Sequence, residues 1–276
     1  MALTITSKWD SSSASSRLVT VESSGHWYDA EGRSAHVILG KNGKERNTTV
    51  ADARKMGLLP SVTSVLGIMD KPQLTSWKIE QAIMSSLTLP KEEGETLEEY
   101  ARRVVKDSKE STTKAAEHGT KMHTEMENIL LGRACSTDEV LKPYIETFKK
   151  WADANVEKTY WCEKGLVGAG YAGRCDAYVK LKGIGDAIID LKNRKVNPKY
   201  SPFYEHSDAP QLWAYKNASE NPQAACVSIV LASNDSSKLM TRVWEDDELY
   251  QAGIAFNALL KVWAWVKGYT PPGMKL

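Results

Sequence analysis

The chain has 276 residues, enough to bury a full core as one large domain or two small ones. Its 36 Lys and Arg balance 35 Asp and Glu, so no global basic field exists, and a nucleic-acid partner would need a local patch. No apolar run approaches the roughly 20 residues of a membrane span, and the first 17 residues lack the apolar core of a secretory signal, so a cytoplasmic protein is expected.

Residues 1–17 are Ser-rich and read as a loose tail, with residues 18–276 expected to form a single domain. Strand-like pieces at 18–22 and 36–39 flank a turn-prone stretch at 29–32, and Lys41 to Lys44 reads as a loop or hairpin turn. Residues 51–58 suggest a short helix. Then Ser61, Thr63 and Ser64 open an apolar helix, which is N-cap chemistry. Hydroxyls and free amides at a helix start also attract anions, so the same residues are candidates for a phosphate pocket.

A helix is expected over 73–87, with Leu74, Trp77, Ile79, Ile83 and Leu87 largely on one side. Residues 95–131 read as a long helical region with a break near Ser111 and a stop at Gly132. Another helix over 138–154 carries Val140, Tyr144, Phe148 and Trp151 at core spacing. Strand signals follow at 159–162, 172–181 and 187–191, then a loop with Arg194, Lys195 and Lys199. A helix over 210–218, a hairpin of 225–231 with 238–244, and an amphipathic helix over 247–267 complete the chain. Mostly helical residues 18–157, then a sheet with interleaved helices over 158–276, indicate an α/β fold with a helical N-terminal portion. The cysteines at 135, 162, 175 and 226 form no CxxC pair and fit no zinc spacing, so they read as reduced thiols.

Chemistry concentrates in residues 173–192. Asp190 and Lys192 are two apart on a strand and share a face, with Leu191 pointing the other way. A turn around Gly183 would bring Asp176 beside Asp190. Two carboxylates and an ammonium on rigid strands can hold a divalent cation and activate a water. An isolated DxK is as easily a solvated strand, but the buried-type run Ile188-Ile189 leads into this one, and Gly173 permits close backbone approach. His123 and Glu127 are four apart on a helix and can aim at one spot, though a part-exposed His with a surface Glu fits equally. His118 lies five residues before His123, so those two do not easily share a face. Gln211 and Tyr215 share a face on the helix after the strand pair, where Gln can orient a bound group and Tyr can stack or pack on the sheet.

The ordered set Gly119-Thr120-x-x-His123, Gly173-x-x-Asp176, Asp190-x-Lys192 and Gln211-x-x-x-Tyr215 resembles the RecB-type branch of the PD-(D/E)XK nucleases, which includes mitochondrial genome-maintenance exonucleases. Residues 59–78 also look like phage and prophage-encoded members, and the resemblance covers roughly residues 25–265. It implies a restriction-endonuclease-like mixed sheet flanked by helices, and a metal-dependent deoxyribonuclease, with exonuclease action favoured. His123, Asp176, Asp190 and the Leu191 carbonyl would hold Mg²⁺ or Mn²⁺, with Glu127 a weaker candidate. Lys192 would orient the attacking water, Gln211 and Tyr215 would position the strand, and Ser61, Thr63 and Ser64 would receive a terminal phosphate. Arg194, Lys195 and Lys199 would contact backbone phosphates. Some such nucleases carry an iron–sulfur cluster on one early and three clustered late cysteines; that clustering is missing here, so no cluster is expected. Asn193 stands where many members have Thr or Ser. DNA ends, and a single-strand annealing recombination protein, are the implied partners.

Two other readings compete. Gly168 to Gly173 satisfies GxGxxG, but a dinucleotide cradle needs a buried strand before it and a helix after it, and the flanking residues favour neither. The second is a non-catalytic nuclease-like module binding DNA ends, disfavoured by retention of every charged motif position.

Overall fold

The computed structural model describes residues 25–70, 72–204 and 206–275. The tail at 1–17 and the strand expected at 18–22 lie outside them. Among the described residues the chain divides into two compact units, one of 72–112 and one holding 25–70 and 113–275. That division falls inside the stretch expected to be one domain.

In the first unit, α3 (Pro72–Thr88) is followed by the start of α4 (Leu97–Leu130). Thr96 and Glu99 cap α4 reciprocally: the Glu99 amide donates to the Thr96 hydroxyl at 3.2 Å and the Thr96 amide to the Glu99 carboxylate at 2.9 Å. The expected break at Ser111 does not occur, since α4 is continuous over 34 residues. Along α4 some hydroxyls fold back onto the helix: Ser108 donates to the Val105 carbonyl, Thr120 to Ala116 and Thr124 to Thr120.

The second unit begins with β1 (Trp27–Tyr28), the hairpin β2 (Val37–Leu39) with β3 (Glu45–Asn47), α1 (Val50–Met56), β4 (Leu59–Pro60) and α2 (Val62–Leu66). β1 pairs antiparallel with β4. After α4 come α5 (Lys142–Asn155), β5 (Val156–Gly168), β6 (Tyr171–Leu181), β7 (Gly185–Arg194), α6 (Asp208–Ala218), β8 (Ala225–Ala232), β9 (Leu239–Trp244) and α7 (Asp246–Lys267). The five longer strands form one sheet in the order β5-β6-β7-β8-β9. β7 and β8 run parallel and the other neighbours antiparallel, so the sheet is mixed. The parallel step needs a crossover, which α6 supplies.

Helices cover both faces, as expected of the α/β reading. One apolar cluster joins Met122, Met126, Ile145 and Phe148 to Ala177, Val179, Ile189, Leu191 and Ile229. The other joins Leu212, Tyr215, Phe256 and Trp263 to Cys175, Ile188 and Cys226. Ile188 and Ile189 thus bury opposite sides of β7, which is why this strand reads as a continuous apolar run rather than an alternation. Among the described residues, no helix is long and apolar enough to cross a membrane.

Candidate metal centre

The site forms where β6 and β7 part. Their pairing ends at Ala177 with Ile189, one residue short of Asp176 and Asp190. Beyond that point β7 keeps its bonds to β8 as far as Arg194. The Asp176 side chain replaces the lost ladder bond, its Oδ2 accepting the Leu191 amide at 2.6 Å. The two aspartates therefore meet at a fork in the sheet, as the strand spacing predicted.

Asp190 is fully buried, and its Oδ1 accepts from Lys192 Nζ at 2.7 Å. Its Oδ2 is buried with no hydrogen-bond partner among the described residues. Burial raises the Asp190 carboxyl above the ordinary carboxylate range, Lys192 pulls it back, and Asp176 raises it further. Burial alone would lower the Lys192 ammonium, but Asp190 and then Asp176 hold it above the usual lysine value. Lys192 also donates to Gln211 Oε1 at 3.3 Å, and Gln211 Nε2 donates to the Tyr215 hydroxyl at 3.4 Å. The phenol is buried and raised well above its ordinary value, so it stays protonated. A Cβ on Gly173 would lie 2.9 Å from the Tyr215 ring and 3.2 Å from Val62, so only glycine lets the Tyr215 ring and α2 approach β6 this closely.

On the other side of Asp176, His123 Nδ1 lies 3.9 Å from Asp176 Oδ1. Glu163, absent from the sequence expectations, completes the group: ligating atoms of His123, Glu163 and Asp176 all lie within 4.8 Å of one another. Cys162 faces Ala177 and Lys164 faces Cys175, so Glu163 is the residue of β5 that falls opposite Asp176. Burial, then the charges of Asp176 and Glu127, push its carboxyl up to about 7 against the pull of Arg174. Glu163 has φ +50, the left-handed region, and is the one non-glycine so placed among the described residues. The pairing of β5 with β6 keeps its register across Glu163, and its irregularities lie at 156–161. A charged residue one step past a strand signal was the available clue.

Several expected residues are placed differently. Arg194 is not free for phosphates: its guanidinium holds both Asp208 oxygens at 3.1 Å and the Pro202 carbonyl at 3.0 Å, with the Tyr204 ring 4.4 Å away. The side chain closes the loop between β7 and α6 instead. Lys195 and Lys199 are exposed on that loop. Glu127 lies outside the three-residue group and pairs with Arg133 at 3.3 Å. His118 packs edge-on against Tyr144. Ser61 is buried and caps α2, accepting from the Ser64 amide at 2.9 Å and sharing hydrogen bonds with the hydroxyls of Thr63 and Ser64. It also bridges Ala172 of β6, four residues from Asp176 and so about 13 Å along the strand. Gly168 to Gly173 crosses the turn between two antiparallel strands, with no helix after it to face a pyrophosphate.

The residues suit a hard or borderline divalent cation. They offer carboxylate oxygens and one imidazole, and the orphaned Asp190 Oδ2 is the acceptor such an ion would satisfy.

No family model matches the sequence, and no curated protein matches it. Among solved structures, the crystal structure of SSO0001 is similar at 12% identity and a TM-score of 0.27, over 68% of this chain and 86% of that one. The functional reading therefore rests on the site's own residues.

Proposed function

We propose that the chain is a divalent-cation-dependent deoxyribonuclease of the PD-(D/E)XK type, an exonuclease acting at DNA ends in phage or prophage recombination or repair. The observation that supports it most is the fork that brings Asp176, Asp190 and Lys192 together beside His123.

His123, Asp176, Asp190 and the Leu191 carbonyl would hold Mg²⁺ or Mn²⁺. Such an ion supplies Lewis acidity toward a phosphoryl oxygen and lowers the pKa of a water. The remaining work falls to the chain. The Lys192 ammonium is held on two sides, by Asp190 and Gln211, so its position is set before substrate arrives. It would orient the attacking water and offset the negative charge that grows on the phosphate. Gln211 fixes Lys192, and the buried Tyr215 hydroxyl fixes Gln211. The exposed Lys195 and Lys199 would meet backbone phosphates, giving salt-dependent binding without sequence choice. The exposed Thr63 and the neighbouring Ser64 would receive a 5′ phosphate at the strand end.

The test is digestion of end-labelled single- and double-stranded DNA with Mn²⁺, with and without a 5′ phosphate. The wild type should shorten DNA progressively from an end. Asp190→Ala and Lys192→Ala should each lose about 10²–10³ in rate, the cost of removing one preorganised charge stabiliser. Equal activity in all three proteins would sink the site. A preference for unphosphorylated ends would rule out the Thr63 and Ser64 pocket. End binding without cleavage by the wild type would favour the non-catalytic reading.

A further inference from the structure

One side of α7 is fully used: Leu249, Phe256, Leu260 and Trp263 are buried in the apolar cluster that holds Leu212 and Tyr215. The solvent side is apolar as well. Tyr250, Ile254, Ala258 and Trp265 fall on one exposed stripe at helical spacing, and Trp265 is 84% exposed. After its acidic first turn the helix carries only two charges, Lys261 and Lys267. A helix that is apolar on both sides belongs between two layers, and α7 has only one.

The stripe is also complementary to itself about Ile254. Tyr250 stands four residues before it and Ala258 four after it. Asp247 stands seven before it and Lys261 seven after it. Steps of four and seven return to the same face of a helix, and all five side chains are exposed. A large ring is thus balanced by a methyl group, and an anion by a cation. A second α7 running antiparallel, related by a two-fold axis at Ile254, would set Asp247 against Lys261 twice. It would also seat each Tyr250 over the other copy's Ala258. Parallel pairing would instead oppose like charges along the whole stripe, and like-directed helix dipoles with them.

We propose that the exposed face of α7 is the contact of an isologous homodimer, with two copies of α7 packed antiparallel about Ile254. The occupant is a second copy of this chain, because matched charge and matched size on either side of one residue are what a two-fold contact requires. Trp265 lies on the same face beyond Lys261 and extends the contact past the first turn of the other helix. The inference stands apart from the catalytic reading.

The test is sedimentation equilibrium of the full-length chain across the micromolar range, against a monomer of 30.6 kDa. The wild type should reach twice that mass. Ile254→Asp sets two carboxylates face to face on the axis and should leave monomer. Ile254 is exposed, so the fold should stand, and far-ultraviolet dichroism checks it. Asp247→Lys and Lys261→Glu should each raise the dissociation constant at least about tenfold, because each puts like charges at both pairs. Mixing those two variants in equal amounts matches opposite charges at both pairs again, so a mixed dimer should form with about the wild-type affinity. A wild type that stays monomeric, or that assembles beyond a dimer, overturns the inference. So does a dimer that all three variants leave intact, or a defect of the charge variants that mixing does not relieve.

Discussion

In residues 72–112, α3 and the start of α4 are tied by polar side chains. Tyr100 donates to the carbonyls of Ser86 and Leu89, and Arg103 holds both Glu95 oxygens and the Pro90 carbonyl. The sheet that carries Asp176 is tied by two apolar clusters, with Asp190 among the few charges taken inside. Polar bonds of the first kind are directional and modest in net worth, because water competes for both partners. Apolar burial of the second kind is larger and nondirectional, and it leaves a buried carboxylate exposed to whatever cation can reach it. The sheet can thus hold Asp190 in an unfavourable environment because its core carries the cost, whereas within 72–112 only Val104 is a buried apolar side chain among the described residues.

The largest expected effect comes from breaking the sheet's core. Phe148 is fully buried between α5 and the sheet, in contact range of Trp151. Phe148→Ala should cost about 3–5 kcal/mol, through lost burial and the cavity left behind. Urea unfolding followed by far-ultraviolet dichroism measures it. Tyr100→Phe should cost about 0.5–1.5 kcal/mol, and only locally, because it removes hydrogen bonds without removing packing. Amide exchange should speed up over 72–112 and stay unchanged in β6 to β8. If Tyr100→Phe lowered the global unfolding midpoint as much as Phe148→Ala did, the distinction between the two regions would fail.

The same contrast explains what could be read from the sequence. Strand pairing with period two placed Asp176, Asp190 and Lys192 together, and helical spacing placed Gln211 with Tyr215, because each pattern reflects a regular backbone. His123 was legible only in combination with them, since a helix face says nothing about which strand it meets. Glu163 was hidden for a physical reason: the ladder of β5 is irregular over 156–161, so no clean alternation leads into it. Arg194 was misjudged because a basic residue after a strand looks alike whether it meets phosphate or a buried Asp208. The continuity of α4 through Ser111 was not legible, because helix propensity is a weak signal that a long amphipathic face overrides.

The smallest effect is the most diagnostic of the polar contacts in residues 72–112, and it has a sign. The Arg103 guanidinium hydrogen-bonds Glu95 and holds its carboxyl down from the ordinary 4.5 to about 2, outweighing the opposing effect of burial. In the unfolded chain Glu95 returns to the ordinary value. An acid whose folded pKa is depressed stabilises the fold above its unfolded pKa, and that contribution is lost as pH falls toward the folded one. Protection of the 72–112 amides, corrected for intrinsic exchange, should therefore decline between about pH 4.5 and 2. In Arg103→Gln the carboxyl has no such partner, so protection should start lower and depend less on pH across that window. Salt should mimic part of the acid effect in the wild type and little of it in the variant, since the ion pair is open to screening. A wild-type profile flat over this range, or one matching Arg103→Gln, would mean that the Glu95–Arg103 pair is not what holds α4 to the turn before it.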